Sequence, residues 1–184
     1  MLTNKYTKEY RIDTQKDVNG KIREKSVYIG PLFKMITEDS LRRRICIRMI
    51  FCSIVFLAMF VSGLWNHSVF MHAFYISVPS ICLGFMTYFY GTGCYYLWNG
   101  GKEVYTREQR DKSGDRIKTG GMVGLILGGG TLIGVIVNSI LYCPVVGAWD
   151  IYYIVSIAFQ TVISGFAFWN GRQIIFEQVQ NPNG

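Results

Sequence analysis

Four long apolar runs alternate with polar segments along the chain: residues 45–65, 69–97, 120–141 and 151–169. A helix needs about 20 residues to cross the hydrocarbon of a bilayer, and each run is close to or above that length. The second is the longest and is expected to tilt or to extend beyond the hydrocarbon. Residues 1–44 form a polar arm, 99–119 a polar loop and 172–184 a short tail. The connections between runs one and two, and between three and four, carry no Lys or Arg. This patterning predicts an all-α integral membrane protein: a four-transmembrane-helix antiparallel bundle, one domain over 45–171.

Charge orients the bundle. Of the nineteen Lys and Arg residues, twelve fall between Lys5 and Arg48, six between Lys102 and Lys118, and the last is Arg172. Basic residues flanking a span are retained on the cytoplasmic side. Arm, loop and tail are therefore expected in the cytoplasm, giving an N-in/C-in protein of the cell membrane. The formal net charge of +7 invites a nucleic-acid reading. The basic segments border the spans, however, and anionic lipid of the cytoplasmic leaflet is the expected partner instead. No short apolar core precedes the first span as it would in a cleavable signal, so that span is expected to act as its own anchor.

The arm carries one turn signal. Asn19-Gly20 suits a two-residue type I′ turn, and pairing outward places Ile12 opposite Val27 and Tyr10 opposite Ile29, a β-hairpin over 10–29. An isolated hairpin is marginal in water, so a disordered arm is the competing expectation. In the juxtamembrane stretch 28–44, Tyr28–Phe33 is too apolar for a free tail and is expected on the headgroups or against the helix ends. Thr37 is expected to cap the first helix, with Glu38 and Asp39 in its first turn. Arg48 is expected to snorkel to the interface, a gating role being the sharper alternative. In the loop, Thr106 and Gln109 have capping-box spacing, starting a charged helix that continues into the third span with a bend at Gly114. Trp98-Asn99-Gly100 and Trp169-Asn170-Gly171 read as helix stops. They also fit a duplicated helical hairpin, but with only three matching residues shared interfacial chemistry is the favoured reading.

Candidate sites are few. Ser77, Ser80, Gly84, Thr87, Gly91 and Cys94 follow a 3-4-3-4-3 spacing in the second span; Gly120, Gly124 and Gly128 step by four in the third, and Gly130 and Gly134 repeat the step. Small residues at such spacing let helix backbones approach closely, so these are expected helix-packing positions, within the chain or against another subunit. Asn138, Ser156, Gln160 and Ser164 are expected to turn inward and bond to neighbouring helices, or alternatively to line a pore. No Asp, Glu or His lies in mid-membrane, which argues against coupled transport. Gly128-Gly129-Gly130 lacks the Gly-Lys-Ser/Thr of a phosphate loop. His67, His72 and Asp150 fall on the outer side and are weak metal candidates, since histidines five apart are not a standard ligand pair on one helix. Asp150 is expected chiefly to cap the fourth helix.

Cys46, Cys52, Cys82 and Cys94 lie within spans and only Cys143 lies outside them. No intrachain disulfide is expected, although Cys143 is placed to pair with a second copy. Aromatic residues mark both edges: Trp65, Tyr142, Trp149, Tyr152 and Tyr153 outside; Tyr88, Tyr90, Tyr95, Tyr96, Trp98, Phe168 and Trp169 inside. No nucleophile–base pair, metal set or cofactor motif is visible, so neither catalytic residues nor a cofactor are expected. Two functional classes remain. One is a non-enzymatic interaction protein, either an accessory subunit of a membrane complex or a self-associating scaffold. The other is a small oligomeric channel or facilitative transporter. The partners expected are lipids and either further copies of the chain or other membrane subunits.

Overall fold

The computed structural model describes residues 6–16, 22–64, 68–99, 104–142 and 145–180. These are mostly helical: α1 (Asp39–Leu64), α2 (Phe74–Asn99), α3 (Arg107–Lys112), α4 (Gly114–Tyr142) and α5 (Ala148–Arg172). The four long helices close a ring in which α1 packs on α2, α2 on α4, α4 on α5 and α5 back on α1. Its centre is filled by Met49 and Phe56 of α1, Leu83 and Tyr90 of α2, Ile117 of α4 and Ile157 of α5. The outside is also apolar: Phe51, Ile54, Phe85, Ile126, Ile133 and Val162 are each more than half exposed. A water-soluble bundle does not leave so continuous an apolar surface uncovered.

Three helical stretches are long and apolar enough to cross a membrane: Asp39–Gly63, Arg107–Tyr142 and Ala148–Arg172. Helix α2 is not among them. Its 26 residues include no Asp, Glu, Lys or Arg, but its tyrosines, glycines and hydroxyl residues lower its mean hydropathy. It is also shorter than the second apolar run. Val69–His72 forms a separate 3-10 turn whose first amides are capped by Ser68, which accepts from Phe70 N.

Two small sheets accompany the helices: the first is the hairpin expected in the arm, and the second has no counterpart in the expected fold. Strands β1 (Tyr10–Lys16) and β2 (Ile22–Tyr28) pair antiparallel. Strand β3 (Leu32–Met35) lies between β4 (Tyr105–Thr106) and β5 (Phe176–Val179), antiparallel to both. This second sheet gathers the arm, the loop and the tail at one end of the bundle, here called the basic end. Tyr105 and Phe176 meet edge to face beside the sheet, ring centroids 5.3 Å apart.

Several local expectations shift by a residue or a partner. Tyr10 pairs with Tyr28 and Ile12 with Ser26, one residue away from the pairing that a two-residue turn dictates. The expected turn at Asn19-Gly20 lies outside the described residues. Lys16 opposite Ile22 leaves an odd number of residues between them, and the register that results sets Tyr10 edge to face with Tyr28, ring centroids 5.1 Å apart, a favourable cross-strand pair. Thr37 does not cap α1. Its hydroxyl donates to Gln173 O (3.1 Å) and accepts from Ile175 N (2.9 Å), tying the segment after α5 to the start of α1. Asn170-Gly171 does not stop α5, which runs on to Arg172. The capping box at Thr106 forms with both of its bonds, and α3 gives way to α4 at Ser113, next to Gly114.

Candidate functional site

The glycines divide by what a side chain would meet. On α4, a Cβ at Gly120 would press on Phe89 and Tyr90 of α2, one at Gly134 on Ile76, and one at Gly128 on Thr161 of α5. Gly124 lies between Ser164 and Tyr90. Gly130 has nothing within 4 Å and faces away from the bundle. On α2, Ser80 is buried, Gly84 packs under the Phe60 ring, and Ser77 and Thr87 are half-buried. Gly91 is exposed and open. The buried face of α2 centres instead on Leu83, Met86, Tyr90 and Leu97, because large apolar side chains fill the middle of the ring and the small ones fall at its border.

The closest approaches to a neighbouring backbone involve glycines that the step-of-four spacing passes over. A Cβ at Gly121 would land on the backbone nitrogen of Phe168, 2.7 Å from its Cα and 2.8 Å from Ser164 O. One at Gly171 would lie 2.6 Å from Lys118 N. Helices α4 and α5 thus touch backbone to backbone at two levels, each held open by a glycine. The repeat of seven through Gly114, Gly121 and Gly128 is the signal in the sequence that marks this seam.

The polar residues of α5 line the ring's interior. Tyr90 of α2 donates to Ser164 Oγ (3.0 Å), and Ser164 donates to Gln160 O (2.9 Å). Gln160 Nε2 donates to Ser156 Oγ (3.2 Å), and Ser156 reaches Met59 O of α1 at 3.4 Å. The stripe therefore links α2, α5 and α1. Asn138 is buried on α4. Among the described residues three buried polar atoms have no hydrogen-bond partner: Thr87 Oγ1 on α2 and, at this stripe, Gln160 Oε1 and Tyr153 OH. Gln160 and Tyr153 border a narrow crevice with Ser80, Ser156 and Phe60, with room for about one water. Tyr90 and Tyr153 are core residues, 0% and 2% exposed, whereas Tyr88, Tyr95, Trp98 and Trp169 are exposed. The belt assignment of the first two is thereby corrected. Their spacing from Leu83, Met86 and Ile157 places them on the inward faces.

At the opposite end, Asp150 ties two turns together. Its Oδ1 accepts from Ser68 Oγ (2.6 Å) and Val69 N (2.9 Å), and its Oδ2 from Gly147 N (2.8 Å). It caps α5 and the 3-10 turn at once. With both oxygens engaged and the residue 4% exposed, the carboxylate faces inward. His72 is exposed; His67 and Cys143 lie outside the described residues. Among the described residues no three His, Cys, Asp or Glu side chains cluster as metal ligands would.

At the basic end, the hairpin docks on α3. Tyr28 OH lies 2.9 Å from both Glu9 Oε2 and Pro31 O, which share its one proton, and accepts from Arg107 N (3.1 Å). Arg107 pairs with Glu9 at 3.2 Å, and Tyr6 OH donates to Asp111 Oδ2 at 2.8 Å. Burial pushes the Tyr28 phenol up to about 12; the Arg107 amide works against that rise and the Glu9 carboxylate adds to it. The phenol is thus a neutral donor at physiological pH. Arg110 lies over the Phe33 ring, 4.3 Å from its centre. Burial likewise raises the Tyr105 phenol, with the Arg42 guanidinium opposing. The signals for Glu9, Tyr28 and Arg107 are non-local and no spacing rule would find them. Comparison with protein-family models, with characterised proteins and with solved structures finds no match for this chain.

Proposed function

We propose that this chain is a non-enzymatic four-pass membrane protein with arm, loop and tail in the cytoplasm. It acts as an accessory subunit of a membrane complex or as a self-associating scaffold. The observation that carries the reading is the sheet β4-β3-β5, which joins segments from before α1, between α2 and α4, and after α5. If these three segments share one side, the chain crosses an even number of times between each pair of them. α2 then crosses with α1, its uncharged length and its exposed Ile81, Phe85 and Tyr88 facing lipid. The basic residues gathered at the same end fit cytoplasmic retention.

The sheet and the docked hairpin make a fixed platform that the bundle holds against the membrane. The glycine seams are used within the chain, and so are most hydrogen bonds of the α5 stripe. What is left to meet partners is the platform and the apolar outer surface. The enclosed Gln160 Oε1 and Tyr153 OH favour a second reading, a small channel or facilitator.

Gentle extraction from the native membrane followed by mass measurement of the intact particle separates the two. The interaction reading expects a stoichiometric assembly heavier than one 21.0 kDa chain and no solute flux in liposomes. Reproducible flux that Gln160→Leu abolishes would replace it with the channel reading.

A further inference from the structure

A groove separates α1 from α2 on the bundle's outer surface, just below the platform. Its upper part, about 390 Å³, is bordered by Arg42, Arg43, Cys46 and Trp98. Its lower part, about 460 Å³, runs between Ile47 and Ile50 of α1 and Gly91 and Tyr95 of α2, with Trp98 common to both. Gly91 forms an open stretch of wall, with nothing within 4 Å of where its side chain would be. The groove is thus charged at its head and apolar along its length.

We propose that this groove seats one anionic glycerophospholipid of the cytoplasmic leaflet, an assignment that rests on the membrane orientation given above. The lipid phosphate sits at Arg43, an acyl chain lies along Ile47, Ile50 and Gly91, and the Trp98 indole packs at the level between them. Charge selects the headgroup. Arg43 is exposed and has no acidic partner among the described residues. Arg42 is only 12% exposed and already paired with Asp39 at 3.1 Å, so it supports the site without supplying its free charge. Arg44 lies next in sequence and is also exposed, keeping the local potential positive. A free phosphate ion would satisfy the head of the groove but leave its apolar length bare. A zwitterionic lipid such as phosphatidylcholine would cover the length and offer a phosphate, but its choline cation offsets that charge beside Arg43 and Arg44, so the arginines favour a lipid with net negative charge. Only an anionic lipid matches both parts.

The test uses the full chain purified in detergent, stripped of lipid and mixed with equal amounts of phosphatidylglycerol and phosphatidylcholine of the same acyl composition. Lipids retained on the intact protein are then counted by native mass measurement. The proposal expects one tightly held phosphatidylglycerol per chain. Arg43→Gln should lower the preference for it about fivefold, the worth of one basic residue at an anionic surface. Gly91→Leu should lower retention of both lipids, because it fills the groove without touching the bundle. Gly130→Leu, at an equally open glycine on α4, should change nothing, and all three variants should keep wild-type helicity. Equal retention of the two lipids by the wild type, or equal losses in Gly91→Leu and Gly130→Leu, would overturn the site. Inorganic phosphate that displaces the lipid completely would also overturn it, since the groove's length would then contribute nothing. These outcomes leave the membrane reading intact. That reading fails separately, if alkaline carbonate releases the chain from membranes without detergent.

Discussion

Replacing Gly121 with valine will separate α5 from α4 and lower the stability of the bundle by about 3 kcal/mol, the upper range for forcing extra atoms into a packed interior. The new Cβ would fall 2.7 Å from Phe168 Cα and 2.8 Å from Ser164 O. Those are backbone atoms of a helix, so no side-chain rotation relieves the clash and the helices must move apart. Separation also pulls Ser164 away from Tyr90, whose hydroxyl it meets at 3.0 Å. Gly121→Ala meets the same atoms and is expected to destabilise as well, despite a helix-propensity gain of about 1 kcal/mol. At Gly130, where nothing lies within 4 Å, the same change to alanine keeps only the gain. Unfolding followed by helicity in detergent should show opposite signs at the two glycines. Equal, small effects at both would mean that the seam does not hold the bundle together.

The second large effect is expected at Asp150. Its carboxylate is the shared acceptor for Ser68 Oγ, Val69 N and Gly147 N. Asp150→Ala leaves a buried hydroxyl and two amides unpaired and is expected to cost about 3 kcal/mol, since hydrogen bonds to a charged group contribute about 1.5–3 kcal/mol each and part of the loss is recovered by water. Asp150→Asn keeps one acceptor oxygen and should cost roughly half as much. The loss should appear as faster hydrogen exchange at Val69 and Gly147 with α3 and the hairpin unaffected. If Asp150→Ala unfolds like the wild type, the carboxylate is not what joins the two turns.

The long helices and the polar segments between them were legible because their signals are local. Runs of apolar residues and clusters of basic ones are read along the chain without knowing what touches what. Capping at Thr106 was legible for the same reason. Asp150 was half legible. Its place before an apolar run marks a cap, but nothing in the sequence shows that Ser68, far away in the chain, shares it. The seam is only partly legible, because a spacing of four and a spacing of seven both place residues on one helical face. The neighbouring helix decides between them, and it chose Gly121 over Gly130. The sheet β4-β3-β5 was not legible at all. Its strands are two to four residues long, too short for an alternating pattern, and β3 pairs with β4 across one helical hairpin and with β5 across two. Thr37 stands where a cap of the following helix belongs, yet its hydroxyl bonds to the chain leaving α5, a partner that local sequence does not reveal.

The proposed orientation puts lipid around the four long helices and the platform in the cytoplasm. Single cysteines decide it, in a Cys143→Ser background whose remaining described cysteines are buried or half-buried. Val145, 93% exposed at the far end, and Gln180, exposed just beyond β5, are the two positions to compare. A membrane-impermeant maleimide should label the Val145→Cys chain on intact cells and the Gln180→Cys chain only after the membrane is opened. Labelling of both on intact cells, or of Gln180→Cys alone, would contradict the account.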